Sequence, residues 1–520
     1  MKNKYAYIMK TKYVIAILFA SLFTIVGCDK DFEQINTDPF AINSVDPSFL
    51  LANEQNFGGD SYHYPAGIVQ QISLIITGQE DGGSHNVQKN DFANQIWNGS
   101  YGALKNLADI MVNTEGDEAR TNVYNMAKII SMWHYMYLVD SYGDVPYSQA
   151  IKGYYEGLFF PQYDNQEEIY ADIVIKLKEA TDALDAGKDK VTNDMWFQGD
   201  IAKWKKFGNS LLLRMGMRYS EVDNAKAKSI VADATNPSRG GVMVTNDDNV
   251  IVPYNSTQTN PAVGFCSNST KQNWHAGRPL VDHMKTNNDP RMQYLICLYS
   301  DPSAGDGGTR NTNPDDQIGA PYGYDPGTIQ NDPLFPGGSS IYNYSMINRQ
   351  TCGRVDSWAQ VFTAAQTQLL MAEAVERDYI SGDAKAYYEN AITQALTMKD
   401  IYSETRGGNS PITQAEIDAY LAEPNIAYNS STWEKQIGEQ YWLACFLDWW
   451  EAWSNWRRTG YPQLLPADYP GGDPSVLQGD GFIHRMVYPD AEYSANEENV
   501  KSAATAIGGD NLANKVFWDN

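Results

Sequence analysis

Aromatic and amide side chains gather in two stretches of this chain, with Asn273, Trp274 and Arg278 in one and Tyr342, Tyr344 and Asn348 in the other. Tyr62, His63 and Tyr64 form a third group in a Gly-flanked turn, and Trp97 follows them at helical spacing with Tyr101 and Leu104. A sugar ring offers an apolar C–H face and a rim of hydroxyls. Aromatic rings cover the first, and Asn, Gln or Arg side chains reach the second. These residues are therefore the candidate contacts for a neutral oligosaccharide. The competing role for each ring is to pin its loop to the scaffold, and for Trp97 it is core packing. The formal charge of −25 opposes acidic ligands and excludes a nucleic-acid surface.

Catalytic patterns are missing. The sequence has no His-Glu-x-x-His zinc site, no Gly-x-Ser-x-Gly nucleophile elbow and no Gly-x-x-x-x-Gly-Lys phosphate loop. A glycosidase needs a pair of carboxylates across a cleft, and among 64 acidic residues such a pair has no sequence signature. The expectation is a binding protein without cofactor, and surface glycoside hydrolysis is the weaker alternative. Asp247-Asp248-Asn249 and Asp315-Asp316 are the stretches where a structural calcium ion would sit, although neither matches a twelve-residue calcium loop.

The elements that must position these residues are mostly helices. Apolar periodicity predicts helices over 94–112 and 123–142, the second apolar nearly all round and therefore central. Asp164-Asn165-Gln166-Glu167 reads as a capping box with Asp164 as the cap, opening a helix that stops near Gly187. Trp204, Phe207, Leu211 and Met215 mark another helix. From Trp358 to Ala372 one stripe reads as helical, Gly382 stops it, and Asp383 caps the returning stripe that carries Tyr388, Ile392 and Ala395. The fold class is thus mainly α, a tetratricopeptide-like scaffold of helical pairs with a large loop-rich ligand-binding part. The scaffold is assigned to 90–235 and 355–460, the loop-rich part to 236–354, and an irregular C-terminal segment to 461–520. In the loop-rich part, Gly, Pro, Asp and Asn supply 25 of the 49 residues from 301 to 349.

Residues 1–27 read as a signal peptide. Lys2, Lys4, Lys10 and Lys12 precede an apolar run from Tyr13 to Val26, too short to span a bilayer comfortably. Ile25-Val26-Gly27-Cys28 then reads as a lipoprotein processing site, with Cys28 the lipid acceptor and 28–47 a tether to a single domain over 48–520. An uncleaved N-terminal anchor is the alternative. Removal of 1–27 takes away four lysines and moves the formal charge from −25 to −29. Cys266, Cys297, Cys352 and Cys445 remain, and the sequence leaves open both the three disulfide pairings and burial as free thiols.

Several stretches resemble the SusD/RagB family of outer-membrane nutrient-binding lipoproteins, and its SusD-like branch in particular. They are Phe32-Glu33-Gln34-Ile35-Asn36-Thr37-Asp38-Pro39, Asp140-Ser141-Tyr142-Gly143-Asp144-Val145-Pro146-Tyr147, residues 199–211, Leu369-Leu370-Met371-Ala372-Glu373-Ala374, and residues 451–462 around Trp456-Arg457-Arg458. The resemblance implies a lipid-anchored protein on the outer membrane, facing the cell exterior. It implies capture of oligosaccharides, or of peptides in some branches, and delivery to a SusC-like TonB-dependent barrel transporter that the protein caps. Most of the matching motifs read as structural, and Trp456-Arg457-Arg458 is expected to tie a helix end to the core rather than touch sugar.

Overall fold

The computed structural model describes residues 45–56, 63–75, 94–263, 274–301, 309–337, 343–398, 410–466, 472–477 and 479–519. Its contacts divide the chain into two units, 1–46 and 47–520, and everything below concerns the second. Helices α1 (Pro47–Glu54) and α2 (His63–Ile68) lead to strand β1 (Ile72–Leu74). A run of longer helices follows: α3 (Gln95–Thr114), α4 (Thr121–Tyr142), α5 (Gln166–Ala183), α6 (Ile201–Arg218) and α7 (Asn224–Ala234). Next come β2 (Val250–Val252), β3 (Trp274–Ala276), α8 (Arg278–Thr286), β4 (Ile296–Tyr299), β5 (Arg310–Asn311), β6 (Met346–Ile347) and β7 (Ala359–Phe362). The chain returns to helices with α9 (Ala364–Glu376), α10 (Ala384–Leu396), α11 (Gln414–Leu421), α12 (Trp433–Ala444), α13 (Trp449–Thr459) and α14 (Glu497–Ala506).

Neighbours in sequence are neighbours in space: α3 packs on α4, α4 on α5, α5 on α6 and α6 on α7, while α9 packs on α10 and α12. This is the tetratricopeptide-like helical scaffold expected from the sequence. Helix α4 is buried along almost its whole circumference, as apolar residues spread around all its faces require. It ends at Gly143, whose N–H makes the last helical bond to the Val139 carbonyl and whose φ of 77° turns the following chain out of the helix.

Two local readings are corrected. The cap of α5 is Asn165, whose side chain accepts from the N–H groups of Glu167 and Glu168. Asp164 turns the other way and accepts from the backbone of Tyr147 and Ser148, and the helix stops at Ala183. The stripe beginning at Trp358 is not helical at its start. Ala359–Phe362 alternates as strand β7 against β2, and Thr363 then caps α9 in a capping box with Gln366. Asp383 does cap α10. The C-terminal segment carries α14 and the short helix Asp490–Ala495, so it is less irregular than its sequence reads.

The core is crossed by charged pairs. Arg218 on α6 binds Glu451 on α13 at 2.6 Å and Asp140 on α4 at 3.2 Å. Arg458 on α13 grips Glu373 on α9 with both guanidinium arms, at 2.5 and 2.7 Å. Arg457 lies 3.6 Å from the Trp453 ring centroid and donates to the His484 carbonyl. Arg457 and Arg458 are both buried, so the Trp456-Arg457-Arg458 motif does serve the interior.

Candidate functional site

The loop-rich part is organised by a small platform. Strands β1 and β3 pair antiparallel, with Leu74 opposite Trp274 and Ile72 opposite Ala276. The pair is tied to the scaffold through Gln71, whose amide donates to the Trp442 carbonyl and whose side-chain oxygen accepts from the Trp449 indole at 2.7 Å. On its other side, Tyr322 donates to the Ile72 carbonyl and Ser73 to the Pro321 carbonyl. Gly277 is where these layers meet. A Cβ at that position would lie 2.3 Å from the Tyr322 hydroxyl and 2.5 Å from the Gln70 carbonyl, so only glycine admits the approach.

Arg278 opens α8 and extends to Asp332 in a bidentate pair, at 2.9 and 2.6 Å. The Tyr344 hydroxyl donates to the same carboxylate at 2.6 Å. Burial pushes the Asp332 carboxyl up, but hydrogen bonds from Arg278, Tyr344 and the Leu334 N–H outweigh it and hold the group below the usual carboxylate range. Burial and the Asp332 partner drive the Tyr344 phenol upward, so it remains a donor. The cluster is a clamp between α8 and the loops, with its charges spent on each other.

The geometry places most of the described candidate sugar contacts in the interior. Trp274 is 3% exposed and Tyr344 1% exposed. Neither presents a ring face, and both pack in apolar clusters. Tyr64 is likewise buried in the core. Asn348 is buried too, its oxygen accepting from Arg310 and its nitrogen donating to the Gln293 carbonyl. Arg278 keeps partial exposure but is committed to Asp332. Trp97 is buried against Tyr101, Tyr142 and Tyr163, with only its edge reaching a surface cleft. For these rings the loop-pinning and core-packing roles prevail. Tyr62, Asn273, Tyr342, Cys28 and Cys266 lie outside the described residues, as does the side chain of His63. Asp332, which organises the clamp, had no sequence signal that set it apart from the other carboxylates.

Cys297, Cys352 and Cys445 are buried free thiols, the second of the two states the sequence left open. Burial pushes Cys297 up to about 11 and Cys352 up to about 12. Among the described residues, no three His, Cys, Asp or Glu side chains gather as metal ligands. Asp248 is held by Lys206 at 2.7 Å, and Asp316 by the amides of Asn311 and Asn313. No described helix is long and apolar enough to cross a membrane.

The family model of SusD-like proteins, described as starch-binding and associating with the outer membrane, matches residues 39–489. The chain belongs to the SusD-like family. Similar solved structures include a chitin-binding protein at 31% identity, which covers 91% of this chain and 100% of its own with a TM-score of 0.75. A Bacteroidetes AC2a SusD-like protein is 25% identical, covering 92% of this chain and 100% of its own with a TM-score of 0.77. A chitin-binding SusD homologue from Flavobacterium johnsoniae shares the fold at 22% identity, covering 91% and 98% with a TM-score of 0.72. No curated protein matches. The family is one of outer-membrane-associated nutrient-binding proteins, and SusD-like homologues are binders rather than enzymes.

In this SusD-like protein the platform stands beside three segments that lie outside the described residues. Residues 76–93 continue from Ile75 just past β1, 264–273 lead into Trp274, and 338–342 lead into Asn343. The flanking anchors are close to one another: Leu74 pairs with Trp274, the Ala276 N–H donates to the Ser345 carbonyl at 2.8 Å, and the His275 and Tyr344 rings meet at 6.0 Å. Three segments rich in Asn, Gln, Ser and Gly thus join the fold at adjoining positions.

Proposed function

We propose that this protein captures neutral chitin-type oligosaccharides at the outer surface of the cell and delivers them to a TonB-dependent barrel transporter, without cleaving them. The observation that carries the ligand class is the 31% identity, over almost the whole chain, to a protein described as chitin-binding. The strongly negative charge fits a neutral ligand better than an acidic one. Cys28 supplies the lipid anchor in this reading. The contacts fall on the segments entering and leaving the platform, with Asn273 and Tyr342 the side chains to replace first, and Tyr62, ahead of α2, a further candidate. The clamp of Arg278, Asp332 and Tyr344 fixes α8 to the described loop residues that flank two of those segments.

The test is calorimetry of the full-length protein in detergent with chitohexaose, maltohexaose, cellohexaose and a mixed peptide pool. Chitohexaose is expected to bind, with no reducing sugar released on prolonged incubation. Binding of peptides but of no sugar overturns the ligand class, and release of reducing ends overturns the non-catalytic reading. Mild solubilisation of membranes is expected to bring a barrel protein along. Repeated isolation of the lipoprotein alone counts against delivery to a transporter.

A further inference from the structure

Exposed aromatics are sparse on the described surface, except in one place. Tyr154 is 90% exposed, Phe159 70% and Phe160 66%, and Tyr155 is exposed beside them. Four exposed rings within seven residues form an apolar patch of the kind that marks a binding surface. Of the four, Phe159 lines a cleft of about 330 Å³, together with Trp97, Tyr101, Gln149, Glu492 and Asn496, among others. That volume lies at the small end of the ligand-pocket range.

The patch is held by its backbone rather than by its rings. The short helix Gly153–Glu156 closes at Gly157, which adopts a left-handed conformation and returns its N–H to the Gly153 carbonyl. The Asn499 amide donates to the Phe160 carbonyl at 3.2 Å and the Asn496 amide to the Pro161 carbonyl at 2.8 Å. The Tyr155 hydroxyl donates to Asp109 on α3 at 2.6 Å. Phe159 lies over Gly153, where an added Cβ would come within 3.2 Å of the ring. One side of the Phe159 ring thus rests on the fold and the rest remains open to solvent. Lys152 pairs with Glu156 at 3.4 Å, and the Tyr163 hydroxyl donates to one Glu492 carboxylate oxygen at 2.8 Å. The rim offers oxygen acceptors and amides at Gln149, Glu492 and Asn496.

We propose that this cleft is a second saccharide-binding subsite, in which Phe159 stacks on the apolar face of a neutral sugar unit while the Gln149 and Glu492 side chains take its hydroxyls. The proposal rests on the reading of the protein as an oligosaccharide binder, and it adds a separate site that engages a long glycan away from the platform. A concave cleft beside a pre-positioned ring suits a small cyclic unit better than a flat protein partner. A second foothold on one polymer strengthens retention by raising the local concentration of the chain at the first.

The experiment compares the wild-type full-length protein with the Phe159→Ala/Phe160→Ala variant, titrating both with chitohexaose by calorimetry and measuring their retention on insoluble chitin. Both substituted rings are exposed, so the thermal midpoint is expected to stay put. The wild type is expected to show two binding events. In the variant one event remains at unchanged affinity, the other weakens at least about tenfold, as loss of a stacking ring implies, and chitin retention falls. A single binding event in the wild type, unaltered in the variant, overturns the subsite while leaving the main reading intact. A wild type that binds no oligosaccharide overturns both. Loss of barrel co-purification by the variant with sugar binding unchanged reassigns the patch to a protein contact and also overturns the subsite.

Discussion

Replacing Arg458 by methionine lowers the free energy of unfolding by about 3–5 kcal/mol, read as a shift of the urea midpoint at neutral pH. The size of the loss comes from what is left behind. Glu373 is buried, and Arg458 gives it two short contacts while also binding Ser220 at 3.0 Å and Asn455 at 2.9 Å. Arg377 remains at 2.8 Å but sits nearer the surface and is shared with Glu221. Burial alone would push the Glu373 carboxyl up, but Arg458 and Arg377 outweigh it and bring it down to about 2. A carboxyl depressed in the folded state stabilises fully above its unfolded value of 4.5, and that contribution is lost as pH falls from there toward 2. The wild type should therefore lose stability across that acid window, and Arg458→Met should flatten the loss. Asp448 runs the other way, raised to about 6 mainly by burial, so its ionisation between 3.8 and 6 takes stability away as pH rises. A variant whose urea midpoint and acid profile both match the wild type would rule out the Glu373 pair as a major source of stability.

The second large effect is expected at Trp274. Trp274→Ala removes a buried indole from β3 and should cost about 3–5 kcal/mol of stability. Tyr344→Phe, which deletes only the hydroxyl on Asp332, should cost about 1–2 kcal/mol. In both variants the affinity for chitohexaose, measured where the protein is still folded, is expected to change less than the thermal midpoint does. A midpoint that stays put while affinity falls by an order of magnitude would return these rings to the ligand.

The helical scaffold was legible because its signals are long. The run from Val123 to Tyr142 has no polar face, and Asp383 stands between two apolar stripes, so period and cap agree over many residues. The platform was not legible. β3 is three residues long, follows a polar stretch and pairs with a strand far away in sequence, so no local pattern distinguishes Trp274 from an exposed loop ring. Phe159 and Phe160 carried no signal of their own in the sequence, and they emerge as exposed just past the turn that closes at Gly157. At 164–165, two adjacent cap-forming residues compete, and the winner is decided by the Tyr147–Ser148 backbone that claims Asp164.

The way the C-terminal segment closes over α4 bears on when this protein becomes a folded object at all. The Trp518 indole donates to Asp140 at 3.0 Å, the Met486 N–H to the Ser141 carbonyl at 2.7 Å, and the Phe517 N–H to Gln166 at 2.8 Å. The most deeply buried early helix is therefore sealed by residues that leave the ribosome hundreds of positions later. Until they arrive, its end stays uncovered and Asp140 lacks one of its partners. Loops this long are slow to close, and the partly assembled chain exposes apolar surface in the meantime. The packing around the end of α4 is therefore complete only once the last residues of the chain are in place.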